Sequence, residues 1–134
     1  MSTLEAEFRE VLNAAVPGLR LLVTESDPPV LEIPAVHPEI GPIVIELHPG
    51  EITVYVGRLT HSHFDPRIFE NVSAADALRD NMKAVASWIA AVLSDRVILW
   101  SSGAAGGSYP TDSPQLMRVP KAARRFVWSG PVTG

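Results

Sequence analysis

The stretch that decides the fold is residues 43–56, which have the sequence IVIELH-PG-EITVYV. Two runs in which aliphatic residues alternate with other residues flank a Pro-Gly bend, the pattern typical of an antiparallel hairpin. If Pro49 and Gly50 form the bend, Leu47 lies opposite Ile52 and the other pairs follow along both strands. The opposite face then carries Val44, Glu46, His48, Glu51, Thr53 and Tyr55. One face is aliphatic and the other mostly polar, so the sequence predicts a sheet covered on one side only.

Two amphipathic helices are predicted on either side of this hairpin. Apolar residues recur at helical spacing over residues 3–15 and again over residues 74–94. Ser73 precedes the second helix as a good N-cap, and Asp76 stands in the capping-box position. Each helix has one apolar stripe, and the stripe of the second is wide enough to cover a sheet.

Shorter strand signals lie on both sides of the hairpin. We expect the second hairpin strand to continue past Gly57, as a bulge, as far as Phe64. Further strands are predicted at 19–24, 30–36, 97–100 and 125–128. Residues 101–114 are rich in Gly, Ser, Ala and Pro, which predicts a flexible loop.

These elements define the fold class that we expect. It is α+β, with an antiparallel sheet of about four to six strands covered on one face by two helices. The element order is α-β-β-β-β-α-β-loop-β. The 134 residues suit a single domain spanning 1–134.

Composition excludes several classes of protein. The 46% hydrophobic and 19% charged residues exclude a disordered chain. The absence of Cys excludes a disulfide scaffold and cysteine-based zinc sites. Apolar runs are too short to span a bilayer, and the N-terminus is acidic where a signal peptide is basic. We therefore expect a cytoplasmic protein that does not bind membranes.

Charge is distributed unevenly along the chain. Residues 21–57 contain six acidic residues and neither Lys nor Arg. Such a stretch repels nucleic acid and attracts cationic partners. The segment 115–134 is basic, with Arg118, Lys121, Arg124 and Arg125. Four positive charges are too few for nucleic-acid binding by an acidic domain, so we expect this segment to pair with the acidic stretch or to remain solvated.

A segment with the sequence THSHFDP ends the long strand. It resembles the first metal motif of the metallo-β-lactamase superfamily, His-x-His-x-Asp-His. His61, His63 and Asp65 match that motif, whereas Pro66 replaces its last His. The resemblance implies a metal-dependent hydrolase, but the family uses further histidines downstream and this chain has none. If His61 and His63 bind a metal, the candidates for a third ligand are His48, Glu46 and Asp65.

Other catalytic signatures are not found in the sequence. The Gly-rich stretch lacks the Lys-Ser/Thr of a phosphate-binding loop, and no Gly-x-Ser-x-Gly elbow occurs. We therefore predict no catalytic residues, no cofactor and no small-molecule substrate.

The favoured hypothesis is a non-enzymatic protein-interaction domain, an immunity-like or chaperone-like binder of a cationic protein. This interpretation rests on size and acidic charge. The residues expected to contact the partner are Glu46, Glu51, Thr53 and Tyr55. One alternative is the metal-dependent hydrolase described above. Another is a structural homodimer formed through an exposed strand edge or the region of Trp128.

Overall fold

The computed structural model describes residues 3–66, 72–103 and 105–132. They form two helices, two antiparallel sheets and a short 3-10 helix. The elements are α1 (Thr3–Ala15), β1 (Leu22–Thr24), β2 (Val30–Ile33), β3 (Ile43–His48), β4 (Glu51–Val56), β5 (Thr60–Phe64), α2 (Ala74–Leu93), β6 (Val97–Ser101), β7 (Gly106–Pro110), the 3-10 helix (Pro114–Arg118), β8 (Arg124–Val127) and β9 (Gly130–Pro131). The expected α+β class is confirmed.

The first sheet is a five-stranded antiparallel meander in the order β1-β2-β3-β4-β5. Its central pair, β3 and β4, has the predicted register, with Leu47 opposite Ile52 and Ile45 opposite Val54. All six inward-facing aliphatic side chains of this pair are buried. The alternation read from the sequence therefore determines which face of the sheet meets the core.

Both helices contribute to the core on the inner face of this sheet. Phe8 and Leu12 of α1 are fully buried, as are Val85 and Ile89 of α2. The predicted N-cap of α2 is confirmed, because the Ser73 hydroxyl accepts a hydrogen bond from the backbone N–H at position 76 over 3.1 Å. Within the described residues, no helix has both the length and the apolar character needed to cross a membrane.

The chain turns after β4 where the sequence predicts a continuous strand. Gly57 has a φ of +52°, and its N–H donates to the Pro42 carbonyl over 2.7 Å. A Cβ at this position would lie 1.5 Å from the Ile40 carbonyl oxygen. The residue is thus a turn glycine pressed against the β2–β3 connection, and β5 returns as a separate fifth strand beside β4.

Strand β7 lies inside the segment 101–114, which was predicted to be a loop. It belongs to a second sheet of order β7-β6-β8-β9, so the fold has two sheets and not one. The glycines of β7 let its backbone approach neighbouring groups closely. A Cβ on Gly106 would lie 2.0 Å from the Leu59 carbonyl oxygen, and a Cβ on Gly107 would lie 2.7 Å from the Trp100 indole nitrogen. Glycine has low strand propensity, so this requirement for space cannot be recognised in the sequence alone.

The structure also bears on two further expectations. Trp128 is only 5% exposed and belongs to the core, so its own side chain offers little surface to a second copy. Strand β2 ends at Ile33, before Pro34, because proline has no N–H to donate to a sheet ladder.

One member of the basic segment pairs with the acidic stretch, as expected. The Arg124 guanidinium lies 2.5 Å from the Glu39 carboxylate and 5.0 Å from the centre of the Phe126 ring. Arg125 donates to the Leu116 carbonyl over 3.3 Å. The Arg124–Glu39 contact links β8 to the connection between β2 and β3, and the Arg125–Leu116 contact links it to the 3-10 helix.

Replacing Ile45 by Ala should lower the free energy of unfolding by about 2–5 kcal/mol, because it leaves a cavity in the core. Val44→Ala, on the opposite face of the same strand, should cost no more than about 1 kcal/mol. Urea unfolding followed by circular dichroism measures both. Equal losses would contradict the assignment of the two faces.

Gly57→Ala should destabilise the protein more than Gly18→Ala. Both glycines have positive φ, which costs an alanine roughly 1–2 kcal/mol. Only at Gly57 would the added Cβ also meet backbone, since nothing lies within 4 Å of a Cβ at Gly18. Thermal and urea denaturation of the two variants compare the losses directly, and a similar cost at both positions would show that the contact with Ile40 is unimportant.

Candidate functional site

The outer face is the side of the first sheet that points away from the helices. The strand register places Glu46 opposite Thr53 and Thr53 opposite His63. In the adjacent row, Tyr55 lies opposite His61. The residues that β2 to β5 contribute to the outer face include Glu32, Val44, Glu46, His48, Glu51, Thr53, Tyr55, His61 and His63. The predicted partner-binding residues and four of the five candidate metal ligands therefore lie on one surface.

Glu46 is at the centre of one group of polar contacts. Its Oε2 lies 3.2 Å from the Nε2 atom of His48. The Tyr55 hydroxyl also forms a side-chain hydrogen bond with this carboxylate, in which the phenol donates. Glu46 thus has a partner on its own strand and a second on β4, and both restrict its orientation.

A second group joins β4 to β5 through His63. The Nδ1 atom of His63 lies 3.1 Å from Glu51 Oε1 and 3.1 Å from Thr53 Oγ1. The Thr53 contact is a hydrogen bond, and the Glu51 contact is an ion pair when the imidazole is protonated. Thr53 was expected to be open to a partner, but it is only 3% exposed because it lies in the middle of the sheet between larger side chains. Its hydroxyl is turned to His63 and not to solvent.

Aromatic rings extend the surface along β5. The Tyr55 and His61 ring centres are 5.7 Å apart, and His61 meets His63 edge-on at 5.1 Å. The hydrogen bond to Glu46 is the main cause that raises the pKa of the Tyr55 phenol above its ordinary value. Partial burial and the negative charges of Glu46 and Glu51 raise this pKa further.

The metal-site alternative is not supported by the described residues. Among them, no three His, Asp or Glu side chains form a group that could hold a metal ion. His61 and His63 share a face of β5, and the Nδ1 atom of His63 contacts both Glu51 and Thr53. Asp65 lies beyond the end of β5, where it lines a cavity of about 640 Å³ with His63 and with Asp80 and Asn81 of α2. His63 and Asp65 of the motif therefore share this cavity, whereas His61 does not line it.

The electrostatic character of the outer face follows from its composition. The five strands of the sheet contain no Lys or Arg. Arg58 lies in the β4–β5 turn and lines a cavity of about 320 Å³ with Tyr55 and His61. Glu32, Glu46 and Glu51 lie on the strands away from this turn. The outer face is therefore negative at neutral pH.

Sequence reasoning missed two features of this surface. It kept Glu51 and Tyr55 separate from His61 and His63, and it did not include Glu32 among the binding residues. The available signal was the strand register, because pairing β2 and β5 onto the hairpin brings His63 beside Thr53 and Glu32 beside Val44.

Comparison of the chain with protein-family models, with curated proteins and with solved structures found no match. The function is therefore argued from the chemistry and geometry of the outer face.

Glu46→Gln should lower the pKa of Tyr55 toward the ordinary tyrosine value. The substitution removes the carboxylate whose hydrogen bond and charge favour the protonated phenol. Alkaline titration of tyrosinate absorbance measures this in a Tyr109→Phe background, where Tyr55 is the remaining tyrosine. Glu7→Gln, on an exposed position of α1, is the control and should leave the titration unchanged. An unchanged curve for Glu46→Gln would mean that the two side chains are not in contact.

Proposed function

We propose that this chain is a non-enzymatic protein-interaction domain that binds a cationic segment of a protein partner on its outer face. The observation that carries the proposal is a sheet surface with three carboxylates and no Lys or Arg on its strands. Charge complementarity of this kind accelerates association and excludes partners of the wrong charge. An immunity-like or chaperone-like role fits this chemistry.

The carboxylates are accessible to a partner. The side chains of Glu46 and Glu51 are 30% and 39% exposed, and the histidines beside them are more exposed still. Each glutamate can therefore accept a hydrogen bond from a lysine or arginine of the partner without a movement of the backbone. Hydrogen bonds between ionised groups are the stronger ones, which favours this mode of recognition.

The glutamates are also preorganised. Glu46 is held by Tyr55 and His48, and Glu51 is held by His63. Ordering a flexible side chain on binding costs about 0.5–1.5 kcal/mol, so binding to carboxylates that are already oriented has a smaller entropic cost. Tyr55 adds an amphipathic anchor in the middle of the surface, the kind of residue that contributes strongly at interfaces.

The direct test uses a decalysine peptide as the cationic probe. We expect the wild-type protein to bind it at about 0.1 M salt, where the Debye length is about 10 Å, with amide NMR shifts concentrated on β3, β4 and β5. The double variant Glu46→Lys/Glu51→Lys should bind at least roughly tenfold more weakly, a loss of about 1.4 kcal/mol.

The matched control is Glu7→Lys/Glu10→Lys, which makes the same change in net charge on exposed positions of α1. It should bind within roughly twofold of the wild type, because charges beyond about 10 Å are screened at moderate salt. If the two double variants lose affinity equally, net charge and not the outer face is responsible, and the proposal fails.

A further inference from the structure

The three carboxylates of the outer face lie on a diagonal across successive strands. Glu32 of β2 is paired with Val44, and Glu46 is two residues further along β3. Glu46 is paired with Thr53, and Glu51 is again two residues away, on β4. The step from strand to strand has the same direction each time, so Glu32, Glu46 and Glu51 form one line.

The spacing along this line matches an extended chain. Diagonal neighbours on adjacent antiparallel strands are about 7 Å apart. Side chains that point to the same side of an extended strand are two residues apart, which is also about 7 Å. One turn of helix advances by only about 5.4 Å, so basic side chains on successive turns of a helix do not match the spacing of all three carboxylates.

The flanks of the line suit the aliphatic stems of basic side chains. Val30 lies on one side of Glu46 in the same row, and Val44 precedes Glu46 on its own strand. Both valines are half-buried, so each leaves apolar surface beside a carboxylate. Lysine and arginine place their methylene groups on such surface while the charged end reaches an acid.

We propose that the partner segment is an extended strand with Lys or Arg at alternate positions, lying diagonally over Glu32, Glu46 and Glu51. This inference rests on the proposed function and specifies its partner. The side chains between the cations point away from the sheet, so their identity is unconstrained by this face.

The test compares peptides that have the same charge and different spacing. The peptide TKTKTKT places lysines at alternate positions, TTKKKTT has the same composition in a block, and an alanine-rich helical peptide carries three lysines four residues apart. We expect the alternating peptide to bind roughly threefold to fivefold more tightly than the block peptide, because it alone reaches three carboxylates without distortion.

The variant that identifies the diagonal is Glu32→Gln. It should weaken binding of the alternating peptide by roughly threefold and change binding of the block peptide less. Glu25→Gln is the control, since this exposed residue belongs to the same acidic stretch but lies off the sheet, in the β1–β2 connection. It should leave both affinities within the error of the measurement.

The outcomes separate this inference from the proposed function. One outcome overturns the extended strand alone: all three peptides bind equally and Glu32→Gln has no effect, while Glu46→Lys/Glu51→Lys still abolishes binding. The proposed function, binding of a cationic partner, is then retained. Tighter binding of the helical peptide also overturns the extended partner. If neither these peptides nor decalysine binds the outer face, the proposed function itself is overturned.

Discussion

Burial of the aliphatic side of the β3–β4 hairpin is the constraint on which the rest of the structure depends. Six side chains from Ile43 to Val56 enter the core, and burying each contributes about 1.5–3 kcal/mol. Because successive residues of a strand point to opposite faces, this burial also places every intervening residue outside. A slip of one residue would put Glu46 and Glu51 into the core, at a prohibitive cost in desolvation. The polar surface is thus a consequence of the apolar one.

The outer face combines rigidity with accessible charge. Its polar groups are fixed by contacts between neighbouring strands, in which Tyr55 holds Glu46 and His63 holds Glu51. The sheet beneath them is anchored by the core, so the carboxylates keep their relative positions. A surface of this kind recognises a partner by the spacing of its charges as well as by their sign. The buried Thr53 side chain also contacts His63.

Glycines allow close backbone contacts within the first sheet and between the two sheets. Gly57 lets the β4–β5 turn lie against the β2–β3 connection, and Gly106 lets β7 approach the carbonyl of Leu59. Both contacts join segments that are distant in sequence. At Gly57 the local pattern predicts a bulge and the structure has a turn, which places β5 as the edge strand. At Gly106 the local pattern predicts a loop and the structure has a strand.

The sequence by itself determined the helices, the hairpin, its register and the character of its two faces, because these depend on periodicity and on neighbours within the same short segment. Tertiary structure alone decided that there are two sheets, that Trp128 belongs to the core and that Asp65 lines a cavity with His63. It also decided that His61 and His63 share one surface with the glutamates. The physical reason is that strand pairing and close backbone contacts link residues far apart along the chain, such as Gly106 and Leu59, and no local pattern encodes which partner each will meet.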